Sequence, residues 1–288
     1  MIISRISGGL GNQMFQYAIA KSMAKKNNDI SKLDVFFYPK QTLRKHELNK
    51  FNIEEDIASK KECNNLRASE GFIFKVKNKL GLNISRPKFY TYEYNITSFD
   101  KEVFDKNGDI YLDGFWQNEN YFKSIREEII NDFTPKDRIS DEVNRYLQDI
   151  KSVNSVSLHI RRGDYLADKH TNSVHGVSGL DYYKNATEYI STKIENPIFY
   201  IFSDDITWCK ENFTFLQNKI FIDDTKSAID DLELMKKCKH NIIANSTFSW
   251  WGAWLNQNDK KIVIAPKVWF IDEKWQNLSI TLNDWIKI

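Results

Sequence analysis

The chain of 288 residues is poor in cysteine, close to neutral and without long apolar runs. Its three cysteines, Cys63, Cys209 and Cys238, are odd in number and lack metal-ligand spacing, which argues against a disulfide framework and a zinc site. A formal charge of only +2 leaves no global field for nucleic acid, so any basic site must be local. No apolar stretch approaches the roughly 20 residues that span a bilayer. The start, MIISRISGGLGNQ, reaches glycine too early for a signal peptide. Neither a dinucleotide G-x-G-x-x-G fingerprint nor a P-loop is present, and there is no internal repeat or low-complexity segment. These absences leave a reduced, cytoplasmic, globular enzyme as the expectation.

What is present is a chain long enough for two domains of ordinary size. The first half opens with a strand, IISRI, a glycine-rich turn and a helix, MFQYAIAKSMAKK. LDVFFY and DIYLDGF read as further strands. ENYFKSIREEIINDF reads as a helix with Phe122, Ile125, Ile129 and Phe133 on one face. A charged segment, TPKDRISDE, containing the helix breaker Pro135, separates the halves. The expected domains are therefore 1–140 and 141–288. In the second half, strands SVSLHI, PIFYIFS, KIFI, NIIAN and KIVIAP alternate with helical segments, which implies a parallel, doubly wound sheet. Ligands of such sheets bind beyond the carboxyl ends of the strands. That rule selects HIRRGD, SDD, DD and NSTFS.

Arg161 shares a strand face with His159 and lies at the strand tip, where a fixed bidentate cation suits a diphosphate leaving group. The bland alternative is an ion pair in which Arg162 and Asp164 satisfy each other. In ANSTFSWWGAWL, Ser246 or Thr247 caps a helix whose first amides form a phosphate site, while Trp250, Trp251 and Trp254 pack in the core. In SGGLGNQMFQYA, Gly9 and Gly11 admit close backbone approach, and Asn12 and Gln13 offer neutral groups for sugar hydroxyls. Trp116 and Gln117 pair an aromatic with an amide, a sugar platform unless the indole is core. Asp204 and Asp205 follow a strand; with arginine available, no metal is needed to offset diphosphate charge, and Asp205 suits a helix cap.

Together, HIRRGD, GGLGNQMFQYA, FWQNENYF, the HG…YY segment and CKHNIIANSTFSWWGAWL resemble the bacterial α-1,2-fucosyltransferases, relatives of the blood-group H enzymes. The resemblance spans most of the chain and implies an α/β fold of glycosyltransferase B type, two Rossmann-like domains with the nucleotide held mainly by the second. It implies GDP-fucose as substrate, with no cofactor and no metal. On this basis Arg161 is the diphosphate clamp, supported by Arg162 and Asp164. His159 and Asp204 lie near the guanine, and Ser246, Thr247, Phe248 and Ser249 line the phosphate pocket. Asn12 on the glycine loop faces the reacting sugar. From residue chemistry, Gly9 and Gly11 are read with it as donor contacts, and Gln13, Trp116 and Gln117 as acceptor contacts. The segment 40–105 matches weakly.

The implied reaction inverts the anomeric carbon of β-linked GDP-fucose on the 2-hydroxyl of a terminal galactose. Asp164, Asp168 and His175 are the candidate bases. The acceptor expected for a cytoplasmic enzyme is a lipid-linked oligosaccharide of a surface polysaccharide such as O-antigen. Lysines at 21–26 and 75–79 offer peripheral contact with the inner membrane. Two rivals stand: an α-1,6-fucosyltransferase acting on another glycan, and a non-catalytic nucleotide- or glycan-binding module.

Overall fold

The computed structural model describes residues 1–40, 44–67, 89–94, 96–163, 172–174, 176–275 and 277–288. The chain divides into two units, Met1–Lys136 and Asp137–Ile288, so the division falls within the charged segment around Pro135.

Unit 1 holds a parallel sheet of four strands, β1 (Ile2–Arg5), β2 (Ser31–Asp34), β3 (Tyr90–Tyr92) and β4 (Ile110–Asp113), in the order β2-β1-β4-β3. Helix α1 (Leu10–Lys26) follows β1 and is buried on most of its circumference. The chain moves from β1 outward to β2 and then returns on the other side of β1. The switch point therefore lies between β1 and β4, where the crevice of an open α/β sheet forms. Shorter helices α2 (Lys60–Arg67), α3 (Lys101–Phe104) and α4 (Arg126–Asp132) complete the unit among the described residues.

Two expected elements are shorter than the pattern suggested. LDVFFY contributes only its first residues to β2, because the Asp34 carboxylate turns back to accept the Phe36 amide at 3.0 Å. ENYFKSIREEIINDF is broken into 3-10 turns at Glu119–Tyr121 and Lys123–Ile125 before α4, since Phe122 takes a non-helical backbone (φ −140°, ψ 0°). Its apolar face is nevertheless buried, with Phe122, Ile125, Ile129 and Phe133 all in the core.

Unit 2 begins with α5 (Asp141–Ser152), an element absent from the sequence reading, capped by Ser140, whose hydroxyl accepts the Val143 amide. Then follow β5 (Asn154–Ile160), α6 (Leu180–Ser191), β6 (Pro197–Ser203), α7 (Ile206–Asn212), β7 (Lys219–Phe221), α8 (Ala228–Lys237), β8 (His240–Ile242), α9 (Thr247–Trp254), β9 (Val263–Ala265) and β10 (Ile286–Lys287). The sheet is parallel in the order β10-β9-β8-β5-β6-β7. From β5 the chain winds to β7, then crosses back to β8, which puts the switch point between β5 and β8. Both faces of β5 are covered. Val156, Leu158 and Ile160 join the apolar core, and on the polar face Asn241 Nδ2 donates to Ser157 Oγ at 2.7 Å.

Candidate active site

The register of β5 on β6 decides which carboxylate meets which arginine. Ile160 lies opposite Ser203, so Arg161 leaves the sheet beside Asp204. Asp204 Oδ1 accepts the backbone amides of Arg162 (2.9 Å) and Gly163 (3.0 Å), while Oδ2 stands 3.4 Å from Arg161 Nη1. One carboxylate thus folds the turn and orients the guanidinium. Arg162 turns the other way: its Nε is 3.4 Å from Asp205, and its guanidinium carbon lies 4.2 Å from the Trp208 ring centroid. Asp205 also caps α7, accepting the Trp208 amide. The arginine pair is split, Arg161 at the switch point and Arg162 anchored to α7.

His159 is buried, its ring 5.7 Å from that of Phe248, and its Nδ1 has no hydrogen-bond partner among the described residues. Burial, with the adjacent Arg161 charge, lowers its pKa to about 3, so the imidazole is neutral at physiological pH. The neutral ring adds no charge beside the Arg161 guanidinium.

Across the switch point, β8 runs through Ala244 and Asn245 into α9. Ser246 caps the helix, its Oγ accepting the Phe248 amide at 3.3 Å. Ser249 is buried and donates to the Ser246 carbonyl, so its hydroxyl is engaged in the cap as well. Thr247 and Phe248 are half-buried. Trp250, Trp251 and Trp254 are wholly internal, and Trp250 Nε1 donates to Ile280 O at 2.7 Å. Beside this cap is a cavity of about 260 Å³, lined among others by Ser178, Tyr182, Asn245 and Pro266.

In unit 1, Gly8 takes φ +77°, the left-handed turn that aims the chain from β1 into α1. Gly9 is the N-cap of α1, and Gly11 lies in its first turn. Asn12 Oδ1 accepts from Gln117 Nε2 at 3.0 Å, a side-chain bond that spans the β1–β4 switch point. These two amides are where the sequence placed sugar contacts.

Gln13 and Trp116 are placed differently from expectation. Gln13 is fully buried, donating to Gly8 O and Lys45 O and accepting the Glu47 amide, so it holds the loop together. Trp116 is 1% exposed and presents no face to a sugar. It is also strained, with φ +58°, and its Nε1 is buried without a partner among the described residues.

Sequence reasoning missed Glu93, whose buried carboxylate accepts the amides of Phe115 (2.6 Å) and Trp116 (3.0 Å). Burial raises its pKa against the lowering effect of those amides. A Cβ on Gly114 would lie 2.4 Å from that of Glu93, so only glycine admits this contact. Arg44, whose guanidinium lies beside Gly9, was also missed, because the segment around it carries no periodic signal. The candidate bases Asp164, Asp168 and His175 lie outside the described residues.

The family model described as Glycosyl transferase family 11 matches residues 1–288. An alpha-1,2-colitosyltransferase from Escherichia coli is 36% identical, covering 100% of this chain and 99% of that protein. The O-antigen biosynthesis glycosyltransferase WbnK, also from Escherichia coli, is 35% identical, with 99% of each covered. Human galactoside alpha-(1,2)-fucosyltransferase 1 is 30% identical over 51% of this chain and 43% of its own length. Among solved structures, that of an Arabidopsis thaliana FUT1 mutant in complex with GDP aligns with a TM-score of 0.50 at 10% identity, over 91% of this chain and 69% of that one. The fold class is thus the expected one, an α/β glycosyltransferase B type built on parallel sheets.

Proposed function

Because the chain belongs to glycosyl transferase family 11, we propose that it moves a GDP-activated 6-deoxy-L-sugar to the 2-hydroxyl of a terminal galactose. The two donors to weigh are GDP-fucose and GDP-colitose, whose sugars differ by one 3-hydroxyl. The α-1,2 linkage is supported by the name of a full-length relative, and the galactose acceptor by that of a relative sharing half the chain. The relative named for O-antigen biosynthesis supports an oligosaccharide acceptor, which we take to be lipid-linked.

The observation that carries the reading is Arg161, placed at the carboxyl tip of β5 and oriented by Asp204, on the strand whose other neighbour, β8, leads into the capped helix α9. Inverting transfer from a β-linked donor forms a bond between the acceptor O2 and C1 and breaks the bond from C1 to the diphosphate. The hydroxyl proton leaves to a base, for which Asp164, Asp168 and His175 remain the candidates. The departing diphosphate gains charge in the transition state. A pre-oriented guanidinium and the first amides of α9 stabilise that charge without reorganising. With these in place the chemistry needs no metal, and activity survives EDTA. In unit 1, the half-buried Asn12, held by the buried Gln117, is the amide we assign to sugar contact.

The test is GDP release from each donor with and without lactose. Lactose-dependent release supports the transferase. GDP binding with no release would leave a binding module. A site that hydrogen-bonds the 3-hydroxyl rejects the donor lacking it by about 10⁴-fold or more, whereas an apolar pocket discriminates far less. The ratio of the two rates therefore identifies the native donor.

A further inference from the structure

Three large aromatic side chains of unit 1 are exposed where β3 and β4 end: Tyr92 (43%), Tyr94 (76%) and Phe115 (37%). Tyr92 and Tyr94 meet edge to face, ring centroids 5.2 Å apart. The pairing of Tyr92 with Asp113, continued by the hydrogen bond from the Glu93 amide to Asp113 O, brings Tyr94 level with Phe115. Alternation explains the exposure: Thr91 and Glu93 point inward and are buried, so Tyr92 and Tyr94 point out. Glu93 then fixes the neighbouring loop by accepting the Phe115 and Trp116 amides. The aromatic pair and the loop bearing Phe115 are thus held in register by one buried carboxylate.

Strand β4 separates this patch from the switch point of the same unit, and the loop that follows β4 links the two. Phe115 is two residues from Gln117, at most about 7 Å of extended chain, and Gln117 donates to Asn12 across the crevice. Gln16 Nε2 pins the loop to α1 through Gly114 O at 2.9 Å. One pyranose ring spans a comparable distance, so a sugar attached to the galactose at Asn12 and Gln117 reaches the aromatics. A pyranose carries an apolar face of C–H groups rimmed by hydroxyls. Flat rings with phenolic edges match that surface better than aliphatic side chains do.

We propose that Tyr92, Tyr94 and Phe115 form a platform for the sugars on the reducing side of the acceptor galactose, making this unit selective for an oligosaccharide over a monosaccharide. The proposal rests on the reading of the Asn12–Gln117 crevice as the place where the acceptor galactose reacts. Trp116 was the sequence candidate for such a platform; its buried, strained position turns the exposed role over to its neighbour Phe115.

The experiment compares acceptor KM for methyl β-galactoside, lactose and lacto-N-neotetraose in the wild type, Tyr94→Ala, Tyr94→Phe and Phe115→Ala. The donor is whichever of GDP-fucose and GDP-colitose the wild type uses. The expected result is a roughly tenfold higher KM for lactose and the tetrasaccharide in both alanine variants, equivalent to about 1.4 kcal/mol. The monosaccharide KM, the donor KM and kcat stay at wild-type values, and Tyr94→Phe behaves as wild type. Tyr94 is exposed enough that its truncation leaves the fold intact, which covers the case of Phe115→Ala failing to fold. A KM unchanged at every acceptor length, or raised equally for the monosaccharide, overturns the platform while leaving the transferase reading standing. So does a loss of binding to anionic vesicles with glycan KM unaltered, which would give the aromatics to a membrane surface. If the wild type transfers to none of these acceptors, the reaction assigned above fails instead. Saturation-transfer NMR with the tetrasaccharide then decides the platform: signal lost in Tyr94→Ala supports it, and signal retained overturns it.

Discussion

At the scale of single residues, the proposed chemistry depends on Arg161 and the carboxylate that orients it. Arg161→Lys keeps the charge and loses the planar fork, so kcat should fall on the order of 10² to 10³, with a melting temperature near that of the wild type. Near-normal turnover in Arg161→Lys would remove the diphosphate assignment. His159 sets a pH dependence of stability with a definite sign. Its folded pKa, about 3, lies below the ordinary histidine value, so the folded state holds the ring neutral. The stability it contributes is fully present above about pH 6.5 and is lost as pH falls from there toward the folded value. His240, also lowered by burial, adds in the same direction. Urea denaturation at pH 7.5 and 5.5 should therefore show lower stability at the acid value, by at most about 1.4 kcal/mol per pH unit for each histidine. In His159→Asn the slope should flatten, and an unchanged slope would mean that this ring is not held neutral.

At the scale of elements, α9 joins stability to ligand binding, and a control within the same unit separates the two. Ser246 caps α9 and Ser227 caps α8, the latter accepting the Asp230 amide at 3.3 Å. Each serine-to-alanine change should cost about 0.5 to 2 kcal/mol of stability. Only Ser246→Ala should also weaken GDP binding, as calorimetry can measure, because only its helix begins at the switch point. Equal GDP affinity in both variants would reduce α9 to a capped helix. Much at this scale was legible beforehand. β6 occupies the whole of PIFYIFS, and β5 adds one residue to SVSLHI, since long apolar strands between turn signals declare themselves. The two-residue strand β10 was too short for any period, whereas α5 carried a legible signal that was passed over, a Ser140 cap followed by Val143 and Ile150 seven residues apart and both buried. The partners of the arginines were likewise hidden. Asp204 and Asp205 meet Arg161 and Arg162 through the β5–β6 register, a long-range fact with no local pattern. Residue type suggested sugar contact for Gln13 and Trp116, the latter with core packing as its alternative; both are buried, and Gln13 bonds its own loop.

At the scale of the whole molecule, each of the two parallel sheets has a switch point, with Arg161 and α9 beside one and the Asn12–Gln117 hydrogen bond at the other, and the proposed reaction assigns its chemistry to these residues. No helix among the described residues is long and apolar enough to cross a membrane. The lysines expected to draw the protein to anionic lipid are partly spoken for, Lys21 pairing with Asp132, Lys25 with Glu128 and Lys26 with Asp105. The stretch 75–79 lies outside the described residues. If the acceptor is lipid-linked, membrane association should be peripheral and reversed by salt, and a requirement for detergent would contradict that. The central claim is the bond formed, and the most direct measurement is NMR of the product made from lactose with GDP-fucose and with GDP-colitose. The expected product, from at least one donor, carries a single new sugar in the α configuration on O2 of the galactose and forms in the presence of EDTA. A linkage to any other hydroxyl, a β anomer, or no product from either donor would contradict it.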